Sequence, residues 1–97
     1  MGKISQFIET IQSDEKQWIT VRVKPTYHKY LKHEKCHTII RRLLIDSLKD
    51  NLITVQVEPH EVKVKVKSGT EAECIKRIET QLAKHLGNPL KLMKLLR

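Results

Sequence analysis

The stretch Leu52-Ile53-Thr54-Val55-Gln56-Val57-Glu58-Pro59-His60-Glu61-Val62-Lys63-Val64-Lys65-Val66-Lys67 alternates apolar and polar residues in two runs. A period of two marks strands with one buried face, because successive side chains point to opposite sides. Two such runs across a short break predict an antiparallel hairpin. A third run, Trp18-Ile19-Thr20-Val21-Arg22-Val23-Lys24, alternates in the same way and ends at Pro25, which has no N–H for a ladder. Together they form one layer. Its valines fall on one side. Thr20, Arg22, Lys24, Thr54, Gln56, Lys63, Lys65 and Lys67 fall on the other. The valine side needs a cover of helices. The lysine side is expected to lie open and, in this reading, to lack an aromatic residue. Sheet platforms for RNA stack bases on aromatics, so this side reads as a solvated face whose lysines discourage edge pairing.

Helical spacing supplies the cover. Ile4, Phe7, Ile8 and Ile11 fall at i, i+3, i+4 and i+7, which predicts a short helix over residues 3–13. From Thr26 to Asp50 the pattern is helical in two pieces. Tyr27, Tyr30 and Leu31 share a face of the first. Thr38 is placed to cap the second, which carries Ile39, Ile40, Leu43, Leu44 and Leu48. Ser68-Gly69 closes the last strand, and Thr70 opens a helix with Glu71 and Glu73 in its first turn, where negative charge suits the dipole. Cys74 or Ile75, Ile78, Leu82 and Leu86 line its apolar side. Gly87 ends it, and Asn88-Pro89 start a short helix or an added edge strand. The expected division is residues 1–17 as helix and linker, 18–87 as the domain, and 88–97 as a basic amphipathic tail. One echo runs through the chain. Trp18–Pro25 and Leu52–Pro59 share Ile-Thr-Val, a later Val and Pro, which reads as two similar strands in one sheet, not a duplicated unit.

Composition narrows the function. The 97 residues are 39% hydrophobic and 31% charged, enough for one thin core. The longest apolar run, Leu43–Ile45, is far short of the roughly 20 residues a membrane span needs. The N-terminal residues carry no secretory pattern, and Cys36 and Cys74 form no disulfide framework. The expectation is a reducing cytoplasmic or nuclear compartment. A net charge of +8 and a pI near 9.7 favour polyanionic partners. The surplus is concentrated: Arg22, Lys24, Lys29, Lys32, Lys35, Arg41, Arg42 and Lys49 against Glu34 and Asp46 leave +6 over that segment.

With residues attached, the order β-α-α-β-β-α resembles a KH domain of the eukaryotic type I, particularly the vigilin-like kind. Val21-Arg-Val-Lys-Pro25-Thr-Tyr-His-Lys-Tyr-Leu31 resembles the first strand and helix of that family. Thr38-Ile39-Ile40-Arg41-Arg42-Leu43 resembles the start of its second helix. Val62 to Val66, Ser68-Gly69-Thr70 and Ile75-Lys76-Arg77-Ile78 resemble the last strand and closing helix. The likeness covers about residues 18–86. It implies an α+β fold in which a three-stranded antiparallel sheet is covered by helices on one face. It also implies contact with single-stranded RNA or DNA beside the loop between the first two helices.

At that loop the family carries GXXG, whose glycines let the backbone approach the nucleotides. This chain has His33-Glu34-Lys35-Cys36 there. The expected nucleic-acid contacts are Lys29, Lys32, His33, Lys35, Arg41 and Arg42, around a helix N-terminus that also favours anions. The alternative is a KH-like module for protein contact or self-association, suggested by the amphipathic stretches 4–11 and 90–97. A weaker likeness, of Ile19–Pro25 to the strand of a ribbon-helix-helix repressor, predicts an intertwined dimer on duplex DNA.

No enzyme signature is evident. Walker and dinucleotide-binding loops and paired carboxylates are missing, and Cys36 and His37, though neighbours, have side chains that diverge at a helix start. His28, His33, Cys36 and His37 cluster within ten residues but have no second ligand pair, so neither metal nor cofactor is expected.

Overall fold

A computed structural model describes residues 7–96. The fold is α+β, with strands β1 (Ile8–Ser13), β2 (Trp18–Val23), β3 (Leu52–Val57) and β4 (Glu61–Val66) and helices α1 (Glu34–Leu48), α2 (Glu71–Leu86) and α3 (Pro89–Leu95). All strand pairs are antiparallel, and the order across the sheet is β1-β2-β4-β3. The sheet therefore has four strands where three were expected. Each half of the chain runs strand, strand, helix, and each long helix crosses onto the other half's outer strand, α1 onto β3 and α2 onto β1.

The fourth strand comes from the segment read as a helix. Residues 8–13 pair with β2 instead, while residues 3–6 lie outside the described part. What decides this is the turn that follows. Asp14 Oδ1 accepts from the amides of Lys16 (2.9 Å) and Trp18 (3.0 Å), and Gln17 takes a left-handed φ of 66°. Residues 14–17 thus make a hairpin turn, not a helix end. An isolated helix of this length is marginal, whereas the β2 ladder satisfies the same backbone groups.

The predicted first helix is also absent. Pro25–Tyr27 and Tyr30–Lys32 form two short 3₁₀ turns. Tyr27 holds them in place. Its ring meets Phe7 edge-on at 5.2 Å and Tyr30 at 5.7 Å, and its hydroxyl donates to the carbonyl of Gly87 at 3.2 Å. Burial, with Tyr30 alongside, holds that hydroxyl above its ordinary pKa. Tyr27 ends the first turn and Tyr30 begins the second, and both are buried in the one core.

Elsewhere the expected elements form. Ile19, Val21 and Val23 of β2 and Val62, Val64 and Val66 of β4 are buried, facing Cys36, Ile40, Leu44 and Leu48 of α1 and Cys74, Ile78, Leu82 and Leu86 of α2. Arg77 ties the helices together, donating to the Ser47 carbonyl at 3.1 Å while pairing with Glu73 at 3.0 Å. Helix α1 starts five residues earlier than read, so Thr38 is no cap; its hydroxyl donates back to the Glu34 carbonyl. Gly69 takes φ 86° in the turn into α2, the role glycine is suited to. Gly87 has an ordinary φ of −77°; glycine is needed there because a Cβ would run into the Ala83 carbonyl. Asn88 caps α3 by accepting from the amides of Leu90 and Lys91, and α3 sends Leu92 into the core.

The open side of the sheet needs one correction. Trp18 has the same parity as Thr20 and Arg22, and it sits half-buried opposite Lys65. The face expected to have no aromatic residue has one. Among the described residues no helix is long and apolar enough to cross a membrane.

Truncating a core contact tests this packing. Leu44→Ala is expected to lower unfolding free energy by about 2–5 kcal/mol in urea denaturation, whereas Leu90→Ala, at a side chain 72% exposed, changes it by less than about 0.5 kcal/mol.

Candidate nucleic-acid interface

The loop expected at His33–Cys36 is not a loop. His33 stands at the N-cap position in extended conformation, and Glu34, Lys35 and Cys36 form the first turn of α1. Cys36 is fully buried under that turn. A nucleotide backbone therefore has no glycine loop to approach here; it meets a helix start with Glu34 in it.

The expected basic residues divide into two groups. Lys29, Lys32 and His33 lie on the segment that leads into α1, where the Lys29 ammonium stands 5.2 Å from the Tyr30 ring centre. Lys35, Arg41 and Arg42 lie on the exposed side of α1, opposite the line Cys36–Ile40–Leu44–Leu48. Arg41 leans toward the sheet and donates to the carbonyl of Val55 at 3.2 Å, fixing the helix to β3.

That contact closes the top of a groove. Arg41, Ile45, Lys49, Leu52 and Ile53 line a space of about 310 Å³ between α1 and β3. A second depression of about 370 Å³, with Thr38, Arg42 and Asp46, shares Arg41 and Ile45 with the first and continues it along the helix. A third, of about 430 Å³ between the start of α1 and Leu95 of α3, shares Thr38. Three neighbouring depressions therefore lie along α1. The end at β3 is apolar and rimmed by cations, while Glu34 and Asp46 reduce the charge toward the helix start. Lys49 turns the chain out of α1 with φ 49°, a costly conformation for a residue with a side chain, and places it on the groove wall.

Ile45 and Ile53 were not among the expected site residues, yet they are 56% and 54% exposed. Ile45 was legible, since it falls outside the i, i+4 line that α1 buries. Ile53 was not. In the echo it matches Ile19, which is fully buried. But Leu52 faces Val66 while Thr54 faces Lys65, so Ile53 is the extra residue of a bulge. Bulges re-aim side chains, often beside functional sites.

No family model matches the chain, nor does any curated protein or solved structure.

The histidine and cysteine cluster disperses. His28 Nε2 is bonded to the Val23 carbonyl at 2.7 Å and its ring stacks on His60 at 4.2 Å. His37 Nε2 is held by the Leu31 carbonyl. Among the described residues no three metal-ligating side chains converge. Burial pushes the Cys36 thiol up to about 11, which keeps it protonated and non-nucleophilic. As for the ribbon-helix-helix reading, β2 lies between β1 and β4, so neither of its edges is open to a second copy.

Both cysteines are fully buried. A thiol-specific reagent at pH 8 is expected to find no reactive cysteine in the folded chain and two after denaturation. Because the folded pKa of Cys36 lies above its ordinary value of 9.0, the neutral thiol favours the fold below pH 9. That contribution is lost as pH rises toward 11, so Cys36→Ala should flatten the fall in stability measured across that window.

Proposed function

We propose that this chain is a KH-like nucleic-acid-binding module, not an enzyme, and that it holds single-stranded RNA along the groove between α1 and β3. One observation carries the reading. Two exposed isoleucines from different elements, Ile45 and Ile53, meet beside Arg41, Arg42 and Lys49. Unstacked bases need apolar or aromatic surface, and their phosphates need cations a few ångströms away. Duplex nucleic acid offers only its charged exterior to such a groove. Lys35 continues along the same helix toward its start, and Lys29, Lys32 and His33 lie on the segment before it.

The likeness to the family draws support from β2, β4 and β3 lying antiparallel with α1 and α2 on one face. The departures are the added strand β1, the 3₁₀ turns in place of a first helix, and a helical turn in place of GXXG. They move the expected grip from loop to groove. Binding of this kind depends on charge and apolar contact, with little sequence preference.

The second reading is protein contact. Leu90 and Met93 lie three residues apart on α3, and both are exposed. Sedimentation velocity separates the two. A dimer that Leu90→Lys with Met93→Lys dissolves favours the second reading, and a strict monomer that shifts on adding RNA favours the first.

Titrating a short labelled single-stranded RNA at several salt concentrations tests the groove. About three phosphate contacts give a log–log salt slope near −2. Arg41→Gln combined with Arg42→Glu is expected to weaken binding about tenfold or more. Absence of binding even at low salt overturns the proposal.

A further inference from the structure

Edge protection does not explain the lysines of β4. Lysine on a strand commonly guards an open edge, but β4 lies between β2 and β3 and has no open edge. Lys63 and Lys65 project from its middle, on the side away from the core, where no described element covers them. Directly across from Lys65 stands Trp18, the only tryptophan in the chain, with the Lys65 ammonium 5.7 Å from its ring centre. The cation lies over the π-face of the indole, the surface a stacking base would use.

We propose that the open face of the sheet is a second single-strand nucleic-acid surface, on which a base stacks against Trp18 while Lys63, Lys65 and Arg22 hold the phosphates on either side. Two acids stand nearby, and a phosphate must compete with Glu61 for Arg22 and Lys63. Asp14 spends one carboxylate oxygen on the amides of Lys16 and Trp18, and Glu61 sits between Arg22 (4.0 Å) and Lys63 (3.7 Å). A depression of about 150 Å³ beside the indole, walled by Asp14, Thr20, Gln56 and Lys63, offers carboxylate, hydroxyl and amide groups to a base edge. On binding, the Lys65 ammonium exchanges the indole for a phosphate oxygen and the base takes its place on the ring. Charge decides the occupant: a flat face with cations, amides and one aromatic lacks the apolar patch that a protein partner needs.

This surface is separate from the α1–β3 groove, and its test can be read separately. Trp18 is an intrinsic probe. Its fluorescence is followed while oligouridylate is added in low salt, with a duplex of the same length as comparison and circular dichroism to check the fold of each variant. Strong quenching by the single strand and little by the duplex is expected, because stacked, paired bases cannot lie on the ring. Lys63→Glu with Lys65→Glu should weaken the quenching titration about tenfold or more, whereas Arg41→Gln with Arg42→Glu should leave it in place. Unchanged emission at saturating oligouridylate overturns the proposal. So does quenching that the duplex matches or that survives the lysine substitutions. Loss of binding in the arginine variant with Trp18 silent throughout would leave the groove standing and remove the platform.

Discussion

The rest of the structure depends on one strand being ordered on both edges and apolar on one side. In β4 every second residue is a valine, and Val62, Val64 and Val66 are all fully buried. Because β2 and β3 pair with it on either side, its register sets theirs: Ile19 and Val55 both flank Val64, and Val21 and Val57 both flank Val62. A slip of one residue would turn the valines outward and the lysines into the core. Burying a lysine without a partner is costly enough to exclude that state. Helices α1 and α2 can then lie on one face only, and the opposite face is left to polar residues.

Where period and length agreed, the sequence was legible. The β3–β4 hairpin, α2 and most of α1 follow from alternation or from i, i+4 spacing that tertiary packing reinforces. Phe7, Ile8 and Ile11 were misleading because three apolar residues fit a helical stripe as well as they fit a bulged strand, in which Glu9 drops out of the ladder. The deciding signal was Asp14, whose side chain builds the turn, and a local capping geometry is hard to read as a letter. Tyr27, Tyr30 and Leu31 fit a helical face for a related reason. Tertiary contacts of Tyr27 with Phe7 and Gly87 determine the turns, and those partners are 20 and 60 residues away.

The candidate site was legible in charge and not in shape. Arg41 and Arg42 were identifiable from their density and place on α1, but the groove they border needs Ile53, which alternation assigns to the core. The echo between Trp18–Pro25 and Leu52–Pro59 strengthens that wrong assignment, since its first copy does bury the matching isoleucine. Trp18 was overlooked for the opposite reason. Alternation does place it with Thr20 and Arg22, and only its position at the very start of the run obscured its face.

The bulges at Glu9 and Ile53 stand in the two outermost strands, β1 and β3. Arg41 occupies a β3 carbonyl besides. Irregular margins of this kind are poor templates for recruiting another chain into an extended ribbon. Resistance to fibril growth is therefore built into the rims of the sheet, which relieves the lysines at its centre of any protective duty against aggregation.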